Sequence, residues 1–300
     1  MCIVMIVIVI YTVILLFVDR SAVTAQCMNA LKQWYQFMIP GLFPMMLCSN
    51  VLVDTGVAYK IGGILSKTIL RPFRVSKAGG YCILAGFLFG FPMGAKTVSD
   101  LYSKEMLSYE ESNYLVSFTN CIGPMYTINV VYSIFPKSSL LYLFLGIYAL
   151  PLIYGLTLRY THYRNFVFHK NTTCKMKCIT TLDALYESVP KSSKSMVYLG
   201  GYMILFQISF VTLENVLSIL GIKNNMWYPL LEITGGLYRL SSNTNLESIL
   251  FYMIWGGACC MLQTYSFLKP VKLSMKNYFL HKSIQAILGY IFAIVCFMPL

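Results

Sequence analysis

Long uninterrupted runs of apolar residues constrain this chain more than any other feature. Residues 1–18, 140–158, 197–220 and 284–300 are nearly all apolar. At about 1.5 Å per residue, each comes close to or exceeds the roughly 30 Å of a bilayer core. These runs are too long for the alternating segments, about ten residues each, of a membrane β-barrel. The sequence therefore predicts an all-α, polytopic integral membrane protein.

The charged residues support that class. Only 11% of the 300 residues are charged and 57% are hydrophobic, whereas soluble domains average roughly 25% charged residues. This composition argues against a soluble enzyme and against a disordered chain. The net charge of +12 comes from lysines and arginines at the ends of apolar runs, where they contact anionic lipid headgroups. We therefore expect the lipid bilayer, and no nucleic acid, as a partner.

The longest polar stretch, residues 159–194, divides the chain into two halves. Its basic residues far outnumber Asp183 and Glu187, so the positive-inside rule places it in the cytoplasm. Each half also holds a short, glycine-interrupted segment with a charge, Lys96 in the first and Glu232 in the second. Such pairs are typical of transporters built from repeats with broken, re-entrant helices. We predict one membrane domain, residues 1–300, with four parts: residues 1–33 (N-terminal helix and connector), 34–158 (first repeat), 159–194 (basic cytoplasmic loop) and 195–300 (second repeat, inverted relative to the first by analogy with such transporters).

Residues 1–18 allow two interpretations. Val23, Thr24 and Ala25 resemble a signal-peptide cleavage site. However, a positive n-region is missing, and the apolar run exceeds the usual 7–15 or so residues. We favour a retained membrane helix, within about six to eight crossing helices and two re-entrant pieces.

The cysteines and histidines do not suggest a metal centre. Most of the ten cysteines lie in apolar segments, where they act as small buried hydrophobes. Cys174 and Cys178 share a polar loop, but a second pair is missing and no histidine has zinc-site spacing relative to them. No nucleophile–base pair and no P-loop stand out. We therefore expect neither an enzyme nor a cofactor or metal.

Two helix breaks in the first half are candidate binding regions. Residues 90–96 read GFPMGAK, and backbone amides at such a break, together with the Lys96 ammonium, would bind an anion. The alternative is a cytoplasmic loop in which Lys96 reaches the lipid phosphates. Residues 117–124 contain Asn120, which would bind a ligand or simply satisfy the backbone at a kink.

Two further candidates lie in the second half. Glu232 is flanked by apolar residues, and a carboxylate at membrane depth costs at least about 2.5–3.5 kcal/mol. It would carry a proton, bind a cation or pair with Lys96, the alternative being a structural ion pair. Gln263 follows a run of small residues that permits close helix packing, and we favour an interhelical hydrogen bond for it.

These regions define a candidate substrate site. We expect it to contain Phe91, Pro92, Met93, Gly94, Ala95, Lys96, Asn120, Gly123, Pro124, Glu232, Thr234, Gly235 and Gln263. The Lys96 and Glu232 side chains would share a wet pocket midway through the bilayer.

At these residues the chain resembles a known family. Residues 90–96 are similar to the G-Y/F-P-x-G-A-K motif of the YlbJ family of sporulation integral membrane proteins, part of the nucleoside-recognition "Gate" domain group. The chain departs from the family pattern at Cys121. Further similarity occurs, in order, in residues 42–44, 70–76, 79–81, 117–124, 231–234 and 256–263.

The resemblance implies a role in endospore formation, in the mother-cell-derived membrane around the forespore. It also implies transport of dipicolinate, a small, flat dianion, by a secondary carrier or facilitator. Lys96 and the 92–95 backbone would hold one carboxylate, and Phe91 would stack on the ring. Two alternatives remain open, a non-transporting scaffold of a spore-envelope complex and a nucleoside-type carrier. Further partners would be a second copy of the chain or other sporulation membrane proteins.

Overall fold

The structure, a computed structural model, describes residues 10, 13–131, 140–168, 179–222, 224–240 and 244–297. Its regular elements are helical, and these ranges contain no β-strand, which confirms the all-α class. Most of residues 1–18 lies outside the described ranges, as do Cys174 and Cys178. The helices are α1 (Arg20–Asp54), α2 (Val57–Lys67), α3 (Lys77–Phe89), α4 (Met93–Ser103), α5 (Tyr109–Thr119), α6 (Pro124–Tyr126), α7 (Leu141–Tyr160), α8 (Thr181–Ile219), α9 (Tyr228–Leu231), α10 (Ile233–Arg239), α11 (Leu246–Trp255), α12 (Gly257–Leu268) and α13 (Met275–Phe297).

Five stretches of the described chain are long and apolar enough to cross a membrane. They are α1, α7, α8, α11 together with α12, and α13. This agrees with the prediction of a polytopic membrane protein. The division into two repeats stays a prediction.

One end of the helix bundle is strongly basic. There Asp54, at the end of α1, forms ion pairs with Lys104 and Lys191. Arg159, at the end of α7, donates from Nε to the Phe73 carbonyl. We call this end the basic face.

The first long helix differs from the sequence prediction. The prolines and glycine at residues 40–44 suggested an interruption, yet α1 runs unbroken from Arg20 to Asp54. A π-helical turn, Trp34–Met38, precedes them, and such wider turns absorb irregularity in a helix. Pro40 then lies in the first turn of the following α-helical segment, where its missing N–H costs little.

The last part of the polar stretch 159–194, from Thr181 on, is helical, whereas the sequence suggested a loop. Thr180 caps α8 by accepting a hydrogen bond from the Asp183 amide. With 39 residues, α8 is about 58 Å long. Because the bilayer core is only about 30 Å thick, the start of α8 extends beyond it.

Close contacts between short helices depend on two glycines. A β-carbon on Gly86 of α3 would lie 2.1 Å from the Thr119 carbonyl oxygen, and one on Gly94 of α4 would lie 2.7 Å from the same atom. The end of α5 therefore packs closely against both α3 and α4. This packing sets the positions of the two helix breaks in the first half.

Candidate functional site

Among the described residues, four pairs of consecutive helices are each separated by a short non-helical break. The breaks lie between α3 and α4, between α5 and α6, between α9 and α10, and between α11 and α12. A β-carbon on Gly90 would lie 2.3 Å from the Gly123 amide nitrogen, so the first two breaks are in contact. One on Gly256 would lie 3.1 Å from the Phe91 ring. The breaks of the two halves therefore meet in the interior.

A small cavity, here called the inner cavity, lies where they meet. Its volume is about 80 Å³. Five of the predicted site residues line it, and aromatic and aliphatic side chains from α1 and α8 complete the wall. The predicted residues are Phe91, Gly123, Glu232, Thr234 and Gln263. Among the described residues of this lining, Glu232 is the sole carboxylate, and none is a lysine or arginine.

Glu232 is fully buried and hydrogen-bonded. Its Oε1 accepts from the Thr234 amide at 2.8 Å, and its Oε2 accepts from the Gly235 amide at 2.7 Å. Gln207 Nε2 donates to the same Oε2 at 3.0 Å and to Gln33 Oε1 at 2.6 Å. The carboxylate therefore caps the start of α10 and links it to α8 and α1. Neither the expected pair with Lys96 nor another ion pair explains it.

Lys96 is buried elsewhere. Its Nζ donates to Asn50 Oδ1 at 2.7 Å and forms an ion pair with Asp100 Oδ2 at 2.5 Å. The predicted pair of Lys96 with Glu232 in one pocket is thus wrong. The physical reason is local, because Lys96 lies a turn beyond the break and shares a helix face with Asp100, four residues on.

Lys96 lines a second and larger cavity, here called the basic cavity. Its volume is about 420 Å³. The lining includes four lysines and two aspartates, with Asn50, Tyr198 and Tyr202 among the uncharged residues. The charged residues are Asp54, Lys96, Asp100, Lys104, Lys191 and Lys194. Since Asp54, Lys104 and Lys191 belong to the basic face, the cavity lies at that end of the bundle.

The two cavities follow one another along the same three helices. In α1 and α12, neighbouring turns line the inner cavity and then the basic cavity, and in α8 adjacent residues of the same turns line one cavity or the other. The inner-cavity residues are Leu42, Met45, Leu199, Met203, Cys260 and Gln263. The basic-cavity residues are Asn50, Asp54, Tyr198, Tyr202, Ser266 and Phe267. One helical turn rises about 5.4 Å, so little protein separates the two.

Most of the amides expected to bind an anion are already hydrogen-bonded within the protein. The Met93 amide donates to the Gly90 carbonyl at 2.7 Å, and the Lys96 amide donates to the Pro92 carbonyl at 3.0 Å. The Ala95 amide donates to Asn120 Oδ1 at 3.3 Å. The expectation of an anion site made by the 92–95 backbone is therefore not met in this structure.

The Asn120 side chain connects neighbouring helices by hydrogen bonds near the breaks. Its Nδ2 donates to Thr264 Oγ1 at 2.9 Å and to the Tyr278 hydroxyl at 3.0 Å. Together with the Ala95 bond, these contacts connect α4, α12 and α13. They favour the alternative in which Asn120 satisfies the backbone at a kink. Pro124 begins α6 without lining the inner cavity, and the Gly235 amide is bonded to Glu232.

Sequence reasoning did not include Lys282 among the candidate site residues. In the structure Lys282 is 1% exposed, and its Nζ donates to the Asn120 carbonyl oxygen at 2.7 Å. The same Nζ lies 4.8 Å from the centre of the Phe91 ring. A signal existed, because Tyr278, Lys282 and Gln285 have the i, i+4, i+7 spacing of one helix face.

One known protein is similar to this chain over most of its length. The chain is similar to the sporulation integral membrane protein YlbJ of Bacillus subtilis (strain 168), with 26% identity over 316 residues, 91% of this chain and 77% of the relative. No family model and no solved structure matches. The similarity covers all four breaks and agrees with the helical membrane fold. Over most of its length the chain is therefore similar to a sporulation integral membrane protein.

Proposed function

We propose that this chain is a membrane transporter, a secondary carrier or facilitator, for a small organic anion. Dipicolinate is the substrate that the family resemblance implies, and endospore formation is its setting. One observation carries the proposal. Two cavities, one basic and one at the helix breaks, are lined by nearby residues of the same three helices, α1, α8 and α12. Such an arrangement gives a solute a route from the basic face to the helix breaks.

The basic cavity suits the capture of an anion. Four lysines face two aspartates there, and a cleft lined by one excess charge raises the local concentration of the opposite ion. A volume of about 420 Å³ falls within the roughly 300–1,000 Å³ of small-molecule sites. Lys96 keeps the anion-binding role proposed for it, but within this cavity.

The inner cavity suits an occluded stage of transport. At about 80 Å³ it has room for a few water molecules, at roughly 10–15 Å³ each. A planar dicarboxylate therefore enters only when α1, α8 and α12 move apart. Such helix movement about a midplane site is the general basis of alternating access.

Glu232 would couple transport to a cation. A dianion entering the inner cavity meets this carboxylate, and two like charges in a poorly hydrated interior repel strongly. A proton or a metal cation that accompanies the substrate would offset the repulsion. We therefore assign Glu232 the role of coupling carboxylate, with Thr234 and Gln263 as orienting hydrogen-bond partners in the cavity wall.

Uptake into vesicles tests the proposal. The purified chain is reconstituted into vesicles loaded with Tb³⁺, whose luminescence rises when it chelates dipicolinate. We expect saturable uptake that protein-free vesicles lack. Uptake no faster than in protein-free vesicles, with or without a proton or sodium gradient, would overturn the proposal. Competition by uridine as strong as that by unlabelled dicarboxylate would indicate a nucleoside carrier.

One observation favours the alternative of a scaffold. The start of α8, beyond the bilayer core, exposes apolar side chains on successive turns, namely Leu182, Tyr186 and Val189. A scaffold would use this ridge to contact a partner in a spore-envelope complex. It predicts that polar substitutions there impair sporulation more than substitutions at the helix breaks.

A further inference from the structure

Lys282 of α13 is a buried ammonium with unusually weak partners. Its side chain is among the largest that are fully buried, and Nζ contacts one neutral carbonyl oxygen, that of Asn120, and the face of the Phe91 ring. Among the described residues, no Asp or Glu carboxylate lies within 4 Å of this nitrogen. The other buried lysine, Lys96, has Asp100 beside it.

Such a residue works against folding. An ammonium removed from water without a counter-charge is strongly destabilising, and one carbonyl and one aromatic ring recover only part of that loss. An apolar residue of similar length would pack in the same place without the penalty. Natural chains hold destabilising groups of this kind where function requires them.

The position of Lys282 points to the inner cavity. Phe91 has the Lys282 ammonium against its ring and also lines the cavity. The same ring also packs against Gly256, where a β-carbon would lie 3.1 Å from two ring carbons. A single aromatic side chain therefore separates the ammonium from the space that contains the Glu232 carboxylate.

We propose, on the basis of the transport function above, that Lys282 recognises a carboxylate of the anionic substrate in the inner cavity. When the cavity is empty, Phe91 and the Asn120 carbonyl hold the ammonium. When substrate enters, Phe91 turns aside, and a carboxylate replaces these two weaker partners with a charge-assisted hydrogen bond. The cation of the interior is then Lys282, and Lys96 serves the basic cavity.

Two measurements on Lys282→Met test this assignment. The first is the melting temperature in detergent, which we expect to rise because an uncompensated buried charge is gone. The second is the further rise in melting temperature on adding dipicolinate, which we expect wild type to show and Lys282→Met to lose. Uptake of dipicolinate should fall at least tenfold, because the charge-assisted hydrogen bond to the substrate is lost. A tenfold loss corresponds to about 1.4 kcal/mol.

Matched variants separate charge from packing. Lys276→Met removes an exposed lysine of the same helix and should leave both measurements and uptake unchanged. Lys282→Arg keeps a positive charge and should retain part of the stabilisation by dipicolinate. The neutral analogue pyridine-2,6-dicarboxamide should stabilise wild type and Lys282→Met equally weakly.

The outcomes are distinguishable. A Lys282→Met protein that melts lower or fails to fold shows a structural lysine and overturns the inference. So does a folded Lys282→Met protein with unchanged dipicolinate stabilisation and uptake. If wild type itself shows neither uptake nor stabilisation by dipicolinate, the proposed transport function fails instead.

Discussion

The two cavities share three helices but handle charge in opposite ways. In the basic cavity each buried or half-buried aspartate has a lysine beside it, as in the pairs Lys96–Asp100 and Lys104–Asp54. In the interior, Glu232 is held by amide donors, and Lys282 by a carbonyl and a ring. Paired charges explain their own presence. A buried charge without an ion-pair partner needs a ligand or a function to explain it. Lys282 is therefore a stronger candidate than Lys96 for binding substrate in the interior.

Removing the Glu232 carboxylate should give the largest effect. Glu232→Ala leaves the Thr234 and Gly235 amides without their acceptor, at about 1–3 kcal/mol for each buried donor, and it removes one of the two hydrogen bonds of the Gln207 amide group. We expect uptake to be abolished and the free energy of unfolding, measured by SDS titration, to fall by about 3 kcal/mol or more. Glu232→Gln, which keeps an acceptor, should fold better. Equal stability of Glu232→Ala and wild type would contradict the capping role.

The second-largest effect should come from adding a methyl group where the first two helix breaks contact each other. A methyl group on Gly94 would meet the Thr119 carbonyl and the Asn120 backbone, and overpacking of this kind costs about 1–3 kcal/mol. Gly94→Ala should therefore lower the free energy of unfolding and slow uptake. Gly201→Ala is the control, because Gly201 is exposed and a β-carbon there has nothing within 4 Å. If both variants were equally stable, the breaks would not be as tightly packed as described.

Loss of Lys96 should weaken binding of the substrate in the basic cavity more than it slows transport through the protein. We expect Lys96→Met to raise the dipicolinate concentration for half-maximal uptake about tenfold, about 1.4 kcal/mol, with little change in the maximal rate. Lys282→Met should lower the maximal rate as well. Initial rates over a range of concentrations separate the two. Identical profiles for both variants would remove the distinction between the two cavities.

Salt should have the smallest effect, and only on the basic cavity. Raising ionic strength from 0.1 to 1 M shortens the Debye length from about 10 to 3 Å. The half-saturating concentration of wild type should therefore rise a few-fold, while the maximal rate stays constant. In Lys96→Met the dependence should be weaker. A maximal rate that falls steeply with salt would place the exposed lysines on the rate-limiting path.

Much of the fold was predictable because it depends on local signals. Apolar length indicated the spans, and the Gly-Pro interruptions at residues 90–94 and 120–124 correctly marked two breaks. The predicted break in residues 34–53 failed, since a π-helical turn accommodates Pro40 and Pro44. The division of the chain at residues 159–194 stays a prediction.

The partners of the charged side chains were less predictable. Helix periodicity shows which residues share a face, but it does not show which helix that face meets. Lys96 therefore seemed suited to Glu232, although its own helix supplies Asp100. Lys282 was not among the predicted site residues, although α13 directs its side chain toward the Asn120 carbonyl oxygen. Long-range packing decided both cases.

Filling the inner cavity tests the central claim most directly. Gly41 of α1 lines that cavity, whereas Gly201 of α8 is exposed on the outer surface, and a β-carbon at either site has nothing within 4 Å. Tb³⁺-loaded vesicles containing Gly41→Phe should take up no more dipicolinate than protein-free vesicles, while Gly201→Phe should match wild type. Equal uptake by folded Gly41→Phe and Gly201→Phe would show that the anion does not pass through the inner cavity.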